Sequence, residues 1–369
     1  MKNNPTISVI MPTYNHAPFV EQAIQSVLDQ QGADFEFLIA DDGSSDRTRD
    51  VVASVQDQRI AFFPNKINRG AAIVTNELIN KASGEFIALI NSDDCWSDPD
   101  KLAYQEQVMR ENPSVGACFG RAQFMDEGGH LIAKEGLAFG ATFDQENRSR
   151  GRWLQRFFDS GNCLCHPTIL IRKSCYEELG VYNNRMRQLP DFDMWIRLVK
   201  RHDIFVSDRE LINFRVLPGE NASCQTVSNS IRTMNEHYII ANSFFADVDR
   251  KLLLQGFRDR LRVKELPSEE HVEIEKALLY FSENRWLERP YKMVGLMAMY
   301  RLLSEEKYRK ILEHDYEITD RWFHDMTADI DILRSRRDAA VLNAGRATKS
   351  VLGKIAMAFT PRKPPLRRA

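Results

Sequence analysis

The sequence contains no stretch approaching the roughly 18 to 20 consecutive apolar residues that a bilayer-spanning helix needs, so any expected membrane contact is peripheral. It carries almost no charge imbalance. Its 50 basic and 52 acidic side chains leave a formal net charge of −2, which is too weak a field to hold a polyanion, and nucleic acid is not an expected partner. Cysteine is sparse: Cys95, Cys118, Cys163, Cys165, Cys175 and Cys224 are scattered without paired spacing, which excludes a disulfide framework. Cys163 and Cys165 also lack the partners that zinc requires, so they read as core or loop thiols. The opening Met1-Lys2-Asn3-Asn4 has no apolar leader, and with the unpaired thiols it points to a reducing, cytoplasmic setting. There is no internal repeat.

The 369 residues, 43% of them hydrophobic, are enough for a full-sized core and suggest two domains or one with a large appendage. The first hundred residues alternate short β-branched runs with amphipathic helical patterns. Strands are predicted at 7–11, 35–40, 60–63 and 85–90, with helices at 18–30, 47–55 and 71–81 between them. A βαβαβαβ series implies a mostly parallel, Rossmann-like sheet with helices on both faces. Ligands of such sheets bind beyond the carboxyl ends of the strands. Further on, Asp98 and Pro99 read as the cap and first turn of a helix reaching Glu111. A hairpin is predicted around Gly128-Gly129, a helix at 151–158, a strand at 167–171 and helices at 174–179 and 191–201. Residues 1–224 form the predicted α/β domain, and 225–345 read as an α-helical appendage because strand signals vanish there. Residues 346–369 hold seven basic and no acidic side chains, with Val351, Leu352, Ile355, Ala356 and Phe359 on one stripe. Such a tail suits an anionic membrane surface, although a basic end is equally a solvated one.

Two acidic clusters fall at predicted strand ends. The first, Asp41-Asp42-Gly43-Ser44-Ser45-Asp46, follows an apolar run. A carboxylate at Asp41 can accept a hydrogen bond from a nucleobase imide, but the same residues also make a turn and a helix cap, with Asp46 the cap in either case. In the second, Asn91-Ser92-Asp93-Asp94, adjacent carboxylates repel unless a cation lies between them. Magnesium or manganese meets that need and leaves positions open for a diphosphate. A solvated loop before a capped helix is the plainer alternative.

Taken in order, Ser8-Val9-Ile10-Met11-Pro12-Thr13-Tyr14-Asn15, the first cluster, Asn68-Arg69-Gly70, Ala82-Ser83-Gly84-Glu85-Phe86-Ile87 and Asn91-Ser92-Asp93-Asp94 resemble the family 2 inverting glycosyltransferases of the GT-A fold over roughly residues 6 to 223. The resemblance implies that Pro12, Thr13, Tyr14, Asp41 and Arg69 bind a nucleotide-sugar donor. It puts Asp93 at the ribose and Asp94, with Asp93, at a Mn2+ or Mg2+ ion on the diphosphate. The family's usual first carboxylate is replaced by Asn91, which lowers the local charge by one. Leu189-Pro190-Asp191-Phe192-Asp193 resembles the family's Glu-Asp-x-Asp segment with proline in place of glutamate, and makes Asp191 the expected catalytic base. Its place at a helix start would keep it ionised, and the alternative is a mere N-cap. His166, in a His-Pro step, is expected on the acceptor side, with a structural histidine as the alternative. Leu211-Ile212-Asn213-Phe214-Arg215 with Asn221-Ala222-Ser223 resembles the end of the catalytic domain, where Arg215 either faces the diphosphate or is a strand-edge charge.

The expected activity is therefore transfer of a sugar, from a UDP-sugar, to a glycan or lipid-linked acceptor hydroxyl in surface polysaccharide synthesis. The enzyme would work in the cytoplasm or at the inner face of the cell membrane. Asn91 and Pro190, at two motif positions, motivate an alternative, a non-catalytic nucleotide-sugar-binding or scaffold protein. A nucleotidyltransferase would carry a glycine-rich basic loop after the first strand, and Pro12-Thr13-Tyr14-Asn15-His16 is not one.

Overall fold

The computed structural model describes residues 4–217, 226–282 and 287–330. Asn221-Ala222-Ser223, the 224/225 boundary and the basic tail lie outside the described residues. The first half alternates as predicted: β1 (Ile7–Thr13), α1 (Val20–Leu28), β2 (Phe35–Asp41), α2 (Thr48–Ser54), β3 (Ile60–Pro64), α3 (Ala71–Lys81) and β4 (Phe86–Leu89). Then follow β5 (Cys95–Trp96), α4 (Lys101–Glu111), β6 (Val115–Met125), β7 (Leu131–Ile132), α5 (Arg150–Ser160), β8 (Leu170–Arg172), α6 (Lys173–Leu179), α7 (Pro190–Arg201) and β9 (Asp203–Arg215).

The sheet runs β3-β2-β1-β4-β8-β6-β9-β5, with β7 paired to β6. Strands β1 to β4 are all parallel, and β1, β2 and β4 are buried almost throughout, as strands covered on both faces are. Beyond them the sheet becomes mixed. Strand β8 is antiparallel to both β4 and β6, β9 is parallel to β6, and β5 is antiparallel to β9. The predicted hairpin is the short pairing of Phe124 with Ile132 and Met125 with Leu131. The strand expected from Pro167 starts only at Leu170, because Pro167 brings no N–H to a ladder and His166–Thr168 close a 3-10 turn instead. The expected cap at Asp98 is also displaced: its carboxylate accepts the Asp100 N–H at 2.9 Å, ahead of the helix that starts at Lys101.

Apolar side chains alternate across the sheet, which is why helices cover both faces. Ile7, Val9 and Met11 pack against α1 and α4, through Ala23, Ile24, Val27, Leu102 and Met109. Ile10, Leu38 and Leu89 face α3, α5 and α7 through Leu78, Trp153, Phe157 and Trp195. The appendage comprises α8 (Val227–Ser243), α9 (Arg250–Phe257), α10 (Glu269–Leu279), α11 (Glu288–Leu303), α12 (Glu306–Asp315) and α13 (Asp320–Asp329). Its first four helices bury Ile240, Phe244, Phe257, Tyr280 and Tyr291 in the same cluster as α5 and α7. The Phe158 and Tyr291 rings stack with centroids 4.4 Å apart, and the Tyr291 hydroxyl donates to the Phe158 carbonyl at 2.8 Å. The appendage thus packs onto the layer that carries α7, which sets up the geometry below.

Candidate active site

The carboxyl ends of β1, β2 and β4 gather both acidic clusters. Strand β2 ends on Asp41, whose side chain is fully buried. Its Oδ2 accepts the N–H groups of Gly43 and Ser44, each at 3.1 Å, and the Arg49 Nε–H at 2.6 Å. Oδ1 receives the Ser44 N–H at 3.3 Å and retains acceptor capacity. Asp42 faces the other way and clamps the next loop, its two oxygens accepting the Arg69 and Gly70 N–H groups at 2.8 Å. Between them Gly43 has φ +80°, and a Cβ there would lie 2.5 Å from the backbone N of Asn68 and C of Ile67. The loops touch main chain to main chain, so only glycine fits.

The β1 loop is stitched to this turn. Asn15, at φ 53°, donates its N–H to Ser44 Oγ at 2.9 Å and accepts the Ser45 N–H at 2.9 Å. Asp46 stands one residue ahead of the cap position, which Arg47 holds, and accepts the Thr48 N–H at 3.0 Å and the Ala17 N–H at 3.1 Å. His16 Nδ1 shares a 2.7 Å hydrogen bond with Ser92 Oγ, which ties this loop to the second cluster. Pro12 is in register with Ala40 on β2, and Tyr14 stands exposed at the rim. Thr13 Oγ1 is buried with no hydrogen-bond partner, a cost of roughly 1 to 3 kcal/mol that a bound polar group can relieve. Arg69 departs from expectation: its guanidinium is forked on Glu77 of α3, with both contacts at 2.6 Å, while its backbone serves Asp42.

In the second cluster Asp94 is buried. Its Oδ1 accepts the Arg215 N–H at 2.8 Å and its Oδ2 the Asn91 Nδ2–H at 3.0 Å. Burial, and then the neighbouring Asp93, push the Asp94 carboxyl well above the ordinary range. Arg215 is no strand-edge charge, being only 1% exposed. Its guanidinium donates to the carbonyls of Asp93 (2.7 Å), Asp126 (3.1 Å) and Glu127 (2.8 Å) and to Gln22 Oε1 (2.6 Å). It also lies 4.8 Å over the Phe19 ring. The end of β9 thereby locks the loop after β4 to α1. Among the described residues no group of three or more His, Cys, Asp or Glu side chains is arranged as a metal cage. Small hard cations on phosphate substrates use one or two carboxylates plus the phosphates, and Asp93 with Asp94 fits that pattern, because a cation would relieve the repulsion that raises Asp94.

Asp191 is the second residue of α7, behind Pro190, with Leu189 at the cap position. Its Oδ2 accepts the Asn162 Nδ2–H at 2.6 Å and its Oδ1 the Phe192 N–H at 2.8 Å. The helix start favours the ionised form through the Phe192 N–H, as expected, but it does not set the balance. Burial outweighs the hydrogen bonds, Glu236 adds like charge, and the carboxyl is pushed up to about 6. His166 Nε2 shares a 2.8 Å hydrogen bond with the Tyr182 hydroxyl, which in turn pairs with that of Tyr176 at 2.8 Å. Burial pulls the imidazole down to about 4, so it is neutral at pH 7. Next to it the buried Cys165 thiol is raised by burial, then by Asp94 and Asp191. The charges of both carboxylates act on this one sulfur.

The linear reading missed Arg49, Asn162, Glu236 and the buried state of Arg215. No local signal marks them, since each reaches the site from an element remote from its partner in sequence or, for Arg49, across a loop.

The sequence profile described as Glycosyl transferase family 2 matches residues 8–180. A Bacillus subtilis (strain 168) glycosyltransferase provisionally named for teichuronic acid biosynthesis, TuaG, is 31% identical over 201 residues, covering 53% of this chain and 73% of that protein. An Escherichia coli protein, UDP-Glc:alpha-D-GlcNAc-diphosphoundecaprenol beta-1,3-glucosyltransferase WfgD, is 35% identical over 136 residues, 36% of this chain and 53% of its own length. Among solved structures, S. aureus TarS 1–349 in complex with UDP-GlcNAc superposes with a TM-score of 0.54 at 16% identity, covering 85% of this chain and 91% of that one. That likeness of fold reaches beyond the α/β domain into the helical region. With the motifs in place at the strand ends and a relative of this identity covered over most of its length, the chain belongs to glycosyl transferase family 2.

Proposed function

We propose that the chain is an inverting transferase that moves a sugar from a UDP-sugar to a hydroxyl of a glycan or lipid-linked acceptor, in synthesis of a cell-envelope polysaccharide. The observation that carries the reading is Asp191, a carboxylate at the start of α7 held by Asn162 and the Phe192 N–H and pushed up to about 6. A base poised near neutrality is matched to proton removal at physiological pH. Inversion is a single displacement. The acceptor oxygen forms its bond to the anomeric carbon while the bond from that carbon to the diphosphate oxygen breaks, and the electron pair leaves on the diphosphate. Asp191 takes the hydroxyl proton on a free lone pair while Asn162 and the Phe192 N–H hold the carboxylate's direction.

The same reading puts the nucleotide on Pro12, Thr13, Tyr14 and Asp41, where Asp41 Oδ1 has capacity for an imide N–H. Arg69 would first have to leave Glu77 to bind it through its guanidinium. Asp93 and Asp94 would hold Mn2+ or Mg2+, which when bound neutralises charge on the departing diphosphate. His166, neutral, would hydrogen-bond the acceptor rather than titrate. The relatives' names, teichuronic acid synthesis for TuaG and a UDP-glucose donor for WfgD, support the substrate class.

The test is release of UDP from UDP-glucose and UDP-GlcNAc with Mn2+, in the wild type, in Asp191→Asn and after exhaustive chelation. Turnover that is lost in the variant and on chelation is the expected result. Near wild-type turnover in the variant refutes the base, and indifference to chelation refutes the metal. Attachment to an anionic membrane through residues 346–369 is a further part of the proposal, supported by the seven basic residues. Truncation after Ala344 should abolish binding to anionic liposomes, and undiminished binding would refute it.

A further inference from the structure

Glu236 lies on α8, in the appendage, and is 4% exposed. Its two oxygens accept three successive backbone N–H groups, of Arg187 (2.9 Å), Gln188 (2.9 Å) and Leu189 (2.8 Å). Consecutive amides closing on one anion form a nest, a strong and directional arrangement. The gripped residues lead straight into Pro190 and Asp191. The next α8 residue, His237, sets its ring 5.7 Å from that of Phe192, so two neighbouring side chains of α8 hold the entry of α7. On the far side Asn162, just after α5, holds the Asp191 carboxylate itself.

We propose that Glu236 is a positioning residue for the reaction: by fixing the 187–189 loop it sets the place and direction of the Asp191 carboxylate, so that the helical appendage completes the active site. The inference rests on the reading of Asp191 as the base. A loop tied at three amides has little freedom left, whereas a base displaced by about 1 Å loses on the order of 100-fold in rate. Glu236 also acts through space. The titratable groups whose charges couple to Asp191 are Glu236 from α8, Tyr182 from the segment before α7, and Cys165 ahead of β8. The charge of Glu236 favours the protonated form of Asp191. Removing that charge therefore moves the acid limb of the rate profile to lower pH, which a purely architectural tie would not do.

The experiment uses the full chain, with Glu236→Gln, Glu236→Asp and Asp191→Asn, and reads UDP release from UDP-GlcNAc and UDP-glucose with Mn2+ together with UDP affinity by calorimetry. In Glu236→Gln, kcat should fall by about 10- to 100-fold, UDP affinity should hold, and the acid limb should shift downward, with part of kcat restored in Glu236→Asp. An unchanged kcat, or a loss of kcat matched by an equal loss of UDP affinity, overturns the inference. If Asp191→Asn turns over normally, the base reading fails and the inference falls with it. If Asp191→Asn is inactive while Glu236→Gln is normal, only the inference fails. A measurement free of substrate closes the set: the pH-dependent difference in unfolding midpoint between wild type and Asp191→Asn should shrink in the Glu236→Gln background, and an identical difference would overturn the coupling.

Discussion

Asparagine at position 191 separates a working carboxylate from a helix cap, because the two roles predict opposite dependence of stability on pH. The Asp191 carboxyl is raised from 3.8 to about 6 in the folded chain. Between those values the folded state holds the proton that the unfolded state releases, so the contribution to stability falls as pH rises through the window. Above pH 6 the full cost is present, and below 3.8 it is gone. The whole shift corresponds to about 3 kcal/mol, and solvent screening at a half-buried side chain reduces this to about 1 to 2 kcal/mol. Asparagine keeps an acceptor for the Phe192 N–H but loses the charge-assisted bond from Asn162 and the favourable helix end, together about 1 kcal/mol. The variant should therefore be close to wild type in stability at pH 7.5 while being inactive. Relative to wild type it should gain about 1 to 2 kcal/mol between pH 4 and pH 7.5.

A cap behaves in the other direction. Its carboxylate would be lowered, wild type would gain on the variant as pH rises, and the substitution would cost about 0.5 to 2 kcal/mol at neutral pH. Urea midpoints of both proteins at half-unit steps from pH 4 to pH 7.5 give the difference, in which titrating groups not coupled to Asp191 cancel. The same carboxylate predicts that kcat/KM falls about tenfold per unit below pH 6. Wild type gaining stability on Asp191→Asn with rising pH would refute the reasoning, whatever the activity.

Two other substitutions test the donor half. Gly43→Ala drives a methyl to 2.5 Å from backbone atoms of Ile67 and Asn68 at a positive φ; it should cost about 2 to 4 kcal/mol and weaken UDP binding, checked by thermal shift with and without UDP, and full retention of both would refute the loop contact. Asn91→Asp exchanges the amide that donates to Asp94 for a third carboxylate, so Mn2+ affinity should rise severalfold in calorimetry with some loss of stability without metal, and unchanged affinity would remove this loop from the metal site.

Legibility followed sequence distance. The β1 to β4 half was readable because each strand is an apolar run closed by its own turn, and the parallel rule then fixed its neighbours. Asp41 and Asp46 could be placed because their partners, Ser44 and Thr48, lie within three residues. Strand β8 was harder: three residues give no period to read, and Pro167 ahead of it takes a 3-10 turn in a segment whose composition still looks strand-like. The resting place of the Arg69 side chain is not legible from its motif: Asp42 takes the Arg69 and Gly70 amides, and the guanidinium reaches forward to Glu77 on α3.

Charge was the least legible property, and Asp191 shows why. Read along the chain it heads a helix, and a helix start lowers a carboxyl pKa by an amount set within one turn. Read in the fold, the same carboxyl is held by Asn162 and feels the charge of Glu236, both remote in sequence, and its burial outweighs the helix start. At Arg215 the sequence leaves a diphosphate-side role and a strand-edge charge equally open, and only the fold, with three carbonyls and Gln22 around the guanidinium, removes the edge reading. At Asp191 the local effect has the expected sign and too little weight, because burial enters as a sum over contacts from the whole chain. On the proposed reading of Asp191 as the base, the helical appendage has a part in the chemistry: α8 ties the 187–189 loop through Glu236 and adds like charge near Asp191, so changes on α8 should tune the pH range of transfer.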